Sequence, residues 1–297
     1  MHAASDIYSL FIEVIIIIRN YMEKKHKVYS GLFNPLVNIY RSRDLLMQLT
    51  RRNIQSRYKG TALGLLWWFT TPLMLLAVYT FVFSVVFKSR WGVDIGDSKT
   101  AFALIMFCGL VVFNILSESL NGAVGVIVGN PNYVKKVVFP LEILPVSSVL
   151  TALFLGLTWF AVLLAGVGLF MQKICLSIVC LPFILLILVL CCCGLAWLVA
   201  ALGVYIRDLP HVVGILLQVL FFMTPIFYPI EMVPAAFRSI LLLNPLTTIV
   251  ESVRKVVIYD QWPDWGDLGV GFLISIVLFQ VGYFVFMKVK RGFADVL

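Results

Sequence analysis

Long apolar runs alternate with short polar, proline-marked segments along this chain, and the length of the runs decides its class. Leu65 to Phe87 and Ala101 to Leu116 contain no charged residue, and a helix needs roughly 20 apolar residues to cross the hydrocarbon of a bilayer. Hydropathy and breakers predict spans near 65–87, 101–124, 146–170, 182–204, 212–228 and 268–286. Lipid offers the backbone no hydrogen-bond partner, so each span must be a helix. The expectation is an all-α integral membrane protein with six transmembrane helices, preceded by an N-terminal extension over residues 1–35. The run Leu10 to Ile18 is short, broken by Glu13 and followed by Arg19 and Lys24, which does not resemble a cleavable leader.

Composition agrees with the pattern. The chain is 61% hydrophobic and 13% charged, against about half and a quarter in soluble domains. Six spans put both termini on one side, and 16 of the 23 Lys and Arg residues then fall on that side. The positive-inside rule makes it the cytoplasm. The net charge of +8 is therefore orientation rather than a nucleic-acid footprint, since no soluble module carries a basic patch with stacking aromatics. The six cysteines lie in or beside apolar runs without zinc-ligand spacing and read as small hydrophobes.

Four segments outside the spans hold the functional interest. In Leu36 to Gly60, Leu45, Leu46, Leu49, Ile54 and Tyr58 recur at roughly helical spacing, with Arg51, Arg52, Arg57 and other cations between them. This is the pattern of an amphipathic helix lying on a membrane surface, and it suits a lipid anchor and a holder of a cytoplasmic partner equally. The segment Gly129 to Pro140 joins the second and third spans. Pro131 and Pro140 leave room for about two helical turns, which Asn130 or Asn132 can cap. Alone, it also reads as an ordinary loop. Arg207 and Asp208, between the fourth and fifth spans, are expected to cap helix ends and fix depth. The stretch from Glu231 to Trp265 is apolar yet cut by Pro234, Asn244-Pro245 and Pro263 into pieces too short to span, so it is expected to fold back against the spans as re-entrant helices.

Missing chemistry narrows the reading. No Gly-x-x-x-x-Gly-Lys-Ser/Thr loop is present, so nucleotide hydrolysis falls to another chain. Among the spans, Glu118 is the main ionisable exception, whereas ion-coupled carriers use buried carboxylates or broken helices near the midplane. Paired catalytic carboxylates and a nucleophile elbow are likewise missing. The spans offer aromatic rings instead. Trp67 and Trp68 fall where an interfacial belt belongs, Phe83 follows in the same run, and Tyr79 lies deeper, where a phenol needs a partner or a water-filled lumen.

Leu49-Thr-Arg-Arg-Asn-Ile-Gln-Ser-Arg-Tyr-Lys-Gly60, then Leu63 to Trp68, Pro72 to Leu76 and Tyr79 to Ser84, resemble the start of the transmembrane subunit of polysaccharide-exporting ABC transporters. Lys135 to Pro145, Arg207-Asp208, Gln218 to Pro229, Asn244-Pro245 and Phe293 to Leu297 continue the resemblance in order. It implies an inner-membrane homodimer with a channel between the subunits and two copies of an ABC ATPase beneath. That partner binds the ATP and Mg, and this chain holds no cofactor and moves a lipid-linked polysaccharide. O-antigen is the favoured glycan within a family that also exports capsule and teichoic acid. Residues 36–297 are then the exporter's transmembrane domain. Arg51, Arg52 and Arg57 fall on its interface helix, Asn132, Tyr133, Lys135 and Lys136 on its coupling helix, and Leu242, Asn244 and Pro245 on its periplasmic gate helices. Tyr79, Trp67, Trp68 and Phe83 are candidates for the channel wall. A membrane-embedded glycan-processing enzyme and an ion-coupled flippase are the competing readings, and neither needs an ATPase partner.

Overall fold

The computed structural model describes residues 34–59, 66–82, 99–135, 139–172 and 176–297. Among the described residues every regular element is helical. The chain divides at Arg41 into two units, and helix α1 (Asn34–Arg41) belongs to the first. The second, from Ser42 to Leu297, holds α2 (Arg43–Tyr58), α3 (Trp67–Tyr79), α4 (Lys99–Val124), α5 (Pro131–Val134) and α6 (Ile143–Gly166). It continues with α7 (Leu181–Tyr205), α8 (Leu209–Met223), α9 (Ala235–Leu242), α10 (Pro245–Val257), α11 (Trp265–Val289) and α12 (Phe293–Val296).

Local chemistry sets several of these boundaries. Proline stands in the first turn of α5, α7, α8 and α10, where its missing N–H is one the helix could not use. Asn244 caps α10 by accepting from the Leu246 amide at 3.0 Å, and Asp264 caps α11 by accepting from Gly266 at 3.1 Å. Asp208 occupies the corresponding position of α8, but its side chain makes no capping bond.

Among the described residues four helical stretches are long and apolar enough to cross a membrane: Ala101–Val124, Ile143–Met171, Leu176–Tyr205 and Trp265–Val296. The chain is an integral membrane protein. Two further apolar helices, Trp67–Val82 and Leu209–Met223, are shorter. The fifth predicted span was expected to run to Tyr228, yet α8 ends at Met223. Pro225 is the reason: it drives the residue before it out of the α region, and Thr224 is extended at φ −92° and ψ 135°. The 15 residues of α8 rise only about 22 Å. The end of the first predicted span, from Phe83 to Phe87, lies outside the described residues.

Helix α4 is the central post, buried along most of its length against α6, α7, α8 and α10. Lipid gives packed helices no hydrophobic reward for meeting, so close approach must come from small residues. Helices α7 and α11 meet in this way: a Cβ on Gly282 would lie 2.1 Å from the Gly194 carbonyl oxygen. One turn on, fully buried Trp197 packs on Phe279 and Tyr283, with ring centroids at 5.0 and 5.1 Å. On its other side α11 exposes Val270, Leu273, Val277, Val281 and Phe284, an apolar stripe suited to lipid. Helix α10 sits inside the bundle, packed on α4, α7 and α11.

Candidate functional site

At the end of the bundle where α4 finishes and α6 begins, the amphipathic pattern of α2 resolves into packing. Leu46, Leu49 and Thr50 are buried while Arg51, Arg52 and Arg57 are exposed. The helix rests on the start of α6, where Asn53 Nδ2 donates to Ser147 Oγ at 3.3 Å. Arg52 reaches the segment after α4, donating to Tyr133 Oη at 3.1 Å and to Asn130 Oδ1 at 3.4 Å. Arg57 forms an ion pair with Glu118 of α4. The carboxylate that looked isolated in the sequence therefore has a cation brought to it from 61 residues away.

Of the segment expected to hold about two helical turns, the described residues up to Lys135 form one, the four residues of α5, with a bend at Lys135. Asn130 stands at its N-cap position without capping it, because its amide nitrogen donates to the Val126 carbonyl at 2.9 Å and its oxygen serves Arg52. Tyr133 stacks on Phe139 with centroids at 4.3 Å and planes 14° apart. Both the ring and the hydroxyl of Tyr133 are thus engaged within the chain, whereas Asn132 and Lys135 are exposed. Lys136 lies outside the described residues. The far end of the same connection is fixed separately: Glu142 takes Lys290 Nζ at 2.6 Å, and its carbonyl accepts from Trp197 Nε1 at 2.9 Å.

A groove of about 320 Å³ runs between α4 and α8, lined by Phe113, Ser117, Asn121, Gly214, Leu217, Gln218 and Phe221. The two helices build it from one face each. Phe113, Ser117 and Asn121 follow at intervals of four and Gly214, Gln218 and Phe221 at four and three, the spacings that stack residues on one side of a helix. Phe113 and Phe221 lie 4.9 Å apart, Phe221 contacts Phe227 at 5.1 Å, and Phe227 contacts Tyr79 at 5.9 Å. Of the ring candidates, Tyr79 joins this aromatic train. Trp68 turns instead to Phe154 of α6 at 5.4 Å, Trp67 is exposed, and Phe83 lies outside the described residues. Sequence reading missed Phe113, Ser117, Asn121 and Gln218, whose signal was a polar and aromatic stripe at helical spacing inside an apolar run. The lining combines ring faces with neutral amide and hydroxyl groups, which suits polar, uncharged surfaces.

The opposite end is organised by a residue that the charge pattern placed in an outer loop. Arg254 is only 1% exposed. Its Nε donates to the Ile105 carbonyl at 3.3 Å, Nη2 to the Ile226 carbonyl at 2.7 Å, and Nη1 pairs with Glu251 at 2.6 Å. A buried guanidinium is tolerated only with its donors satisfied. Asn244, besides capping α10, donates to Thr224 Oγ1 at 3.1 Å and so ties the hairpin to the end of α8. Pro245 follows as the first residue of α10, and Leu242 closes α9. Among the described residues no group of His, Cys, Asp and Glu could hold a metal ion.

The ABC-2 type transporter family matches residues 44–258. The O-antigen export system permease protein RfbA of Myxococcus xanthus is 31% identical over 262 residues, which cover 86% of this chain and 96% of that protein. A protein of the same name from Klebsiella pneumoniae is 27% identical over 255 residues, covering 86% and 95%. The polysialic acid transport protein KpsM of Escherichia coli is 28% identical over 242 residues, covering 78% and 88%. A family match across most of the sequence, on a bundle whose described residues include four helices long and apolar enough to cross a membrane, places this chain among the membrane proteins of the ABC-2 type transporter family.

Proposed function

We propose that the chain is the channel-forming permease subunit of an ATP-driven ABC exporter that carries a lipid-linked polysaccharide of the O-antigen type across the inner membrane. It works as a homodimer over two copies of an ABC ATPase, which bind the ATP and Mg, and it holds no cofactor of its own. Each copy crosses the membrane six times with both termini cytoplasmic; α3 and α8 are the short crossings, and the hairpin α9–α10 fills the depth that α8 leaves. The basic end of the bundle faces the ATPase, and Asn132 and Lys135 are the exposed coupling contacts.

The groove between α4 and α8 carries this reading. Rings stack on the apolar faces of sugars, and neutral amides exchange hydrogen bonds with hydroxyls in either direction. The seven lining residues bear no charge, which favours a neutral glycan over a polyanion such as the one in the name of the Escherichia coli relative. Helix α8 leaves Ile215, Leu216, Val219 and Phe222 exposed beside the groove, and α3 leaves Phe69, Leu73 and Met74. A second copy facing these surfaces would close the groove into a conduit. The test is export of glycan by vesicles containing this chain and its ATPase, with Phe113→Ala and Phe221→Ala combined. Export should fall several-fold with insertion unchanged, and normal export by the double variant would remove the groove from the path.

A further inference from the structure

The connection between α4 and α5 leaves the regular helix. Residues 125–130 carry glycine at both Gly125 and Gly129 and are held by turn bonds, Val126 to Ala123 at 3.1 Å, Gly129 to Gly125 at 2.9 Å and Asn130 to Ile127 at 3.1 Å, with Ile127 buried. Glycine gives such a link wide backbone freedom, and α5 is a single turn of four residues with little stiffness of its own. The covalent chain gives a push on α5 one route to α4. A second route exists through side chains. Arg52 grips Tyr133 and Asn130, and Arg57 on the same helix grips Glu118 of α4. Five residues at about 100° each place these two arginines about 140° apart around α2, so one points at α5 while the other points at α4. Between them, Asn53 and the buried Leu46 and Leu49 seat α2 on its neighbours.

We infer that α2 and α5 form one lever, clasped by Arg52, Tyr133 and Asn130, and that its movement reaches α4 through the Arg57–Glu118 pair. These are positioning residues that contact neither nucleotide nor glycan. The inference rests on the export reading above for the source of the push. It gives the arginines of the amphipathic helix a task that neither lipid anchoring nor surface docking requires. Helix α4 also carries Phe113, Ser117 and Asn121, so the lever acts on one wall of the groove.

The experiment uses the complex of the full chain with its ATPase in vesicles and reads glycan exported per ATP hydrolysed. Glu118→Gln and Arg57→Gln should leave hydrolysis within about twofold and lower export per ATP by about tenfold, the scale of a lost hydrogen bond to a charged group. The exchange Arg57→Glu with Glu118→Arg should restore most of that loss, which a general need for either residue would not allow. Unchanged export per ATP in the single variants, or an exchange as poor as the singles, overturns the inference. A wild-type complex that moves no glycan would instead sink the export reading. The lever is then tested by itself with nitroxides at Gln55 and Asn132, both exposed. Their separation should stay constant through the ATPase cycle in the wild type and spread in Arg52→Ala; a wild-type separation that changes with the cycle shows that α2 and α5 are not one body.

Discussion

Helices α9 and α10 belong to one hairpin and are both apolar enough to have been grouped together, yet they end in opposite environments. Ten of the residues of α10 are buried, from Leu246 to Val257, whereas in α9 Phe237 is 61% exposed and the adjoining Leu243 is 71% exposed. Leu241 of α9 is buried, at 5%. The difference lies in polar anchors rather than in apolar content. Arg254 ties α10 to carbonyls on α4 and on the segment after α8, and that segment crosses α4 so closely that a Cβ on Gly109 would lie 3.2 Å from Ile226 Cα. An eight-residue helix such as α9, whose Arg238 donates to the nearby Val233 carbonyl at 3.2 Å, has little stability of its own. If the hairpin closes a channel, α10 is the fixed post and α9 the part able to swing, with Asn244-Pro245 as the hinge.

Removing the post should have the largest effect. Arg254→Met leaves the Ile226 and Ile105 carbonyls without this donor and takes the cation from Glu251, which is 28% exposed, and each buried acceptor left unpaired costs about 1–3 kcal/mol. The expected outcome is a large fall in thermal midpoint and in yield of folded protein in detergent, with Arg254→Lys between it and the wild type. A midpoint unchanged by Arg254→Met would show that packing alone holds α10, and the comparison would lose its cause. The hinge should matter less. Asn244→Ala removes a helix cap and the bond to Thr224, together about 1–2 kcal/mol, which a thermal melt of the purified chain resolves. Least of all, Phe237→Ser on the exposed face of α9 should stay within about 0.5 kcal/mol in the same melt; a cost as large as that of Asn244→Ala would mean that α9 is also anchored.

These contrasts mark what the sequence could and could not say. The long crossings were legible because a charge-free run of the right length admits one structure in lipid. The amphipathic face of α2 was legible for a similar reason, its period being local. The packing of Arg254's segment against the spans was legible from its apolar content, but the three-way clasp was not, because it depends on Ile105 and Ile226, which are distant in the chain. The end of α8 at Met223 was signalled by Pro225, but hydropathy continues unchanged through Ile226 and Phe227 and hid it. Tyr133 was read with Asn132, Lys135 and Lys136 as part of a coupling helix, and its stacking partner could not be seen from that pattern. A turn of four residues presents its side chains in different directions, and the ring went to Phe139. The groove needed two helices at once, so Ser117 and Asn121 seemed merely polar in an apolar run until α8 was laid beside them.

The finest distinction between α9 and α10 is one of motion. Thr248 is buried on α10 and Ala236 is exposed on α9. In a background lacking the native cysteines, a membrane-impermeant thiol reagent should find Thr248→Cys slowly, both at rest and while the ATPase is cycling, because opening that site means dismantling the contacts of α10 with α4, α7 and α11. Ala236→Cys should react at a rate that changes with cycling, since α9 is a short helix and the Asn244-Pro245 junction can absorb the rotation. A hairpin that moves as one piece predicts instead that both sites change. Equal acceleration at the two positions would therefore restore the hairpin as a single lid, while constant rates at both would make it a static cap. A change confined to Ala236 separates the post from the swinging part, and it locates the moving element in the eight residues after Pro234.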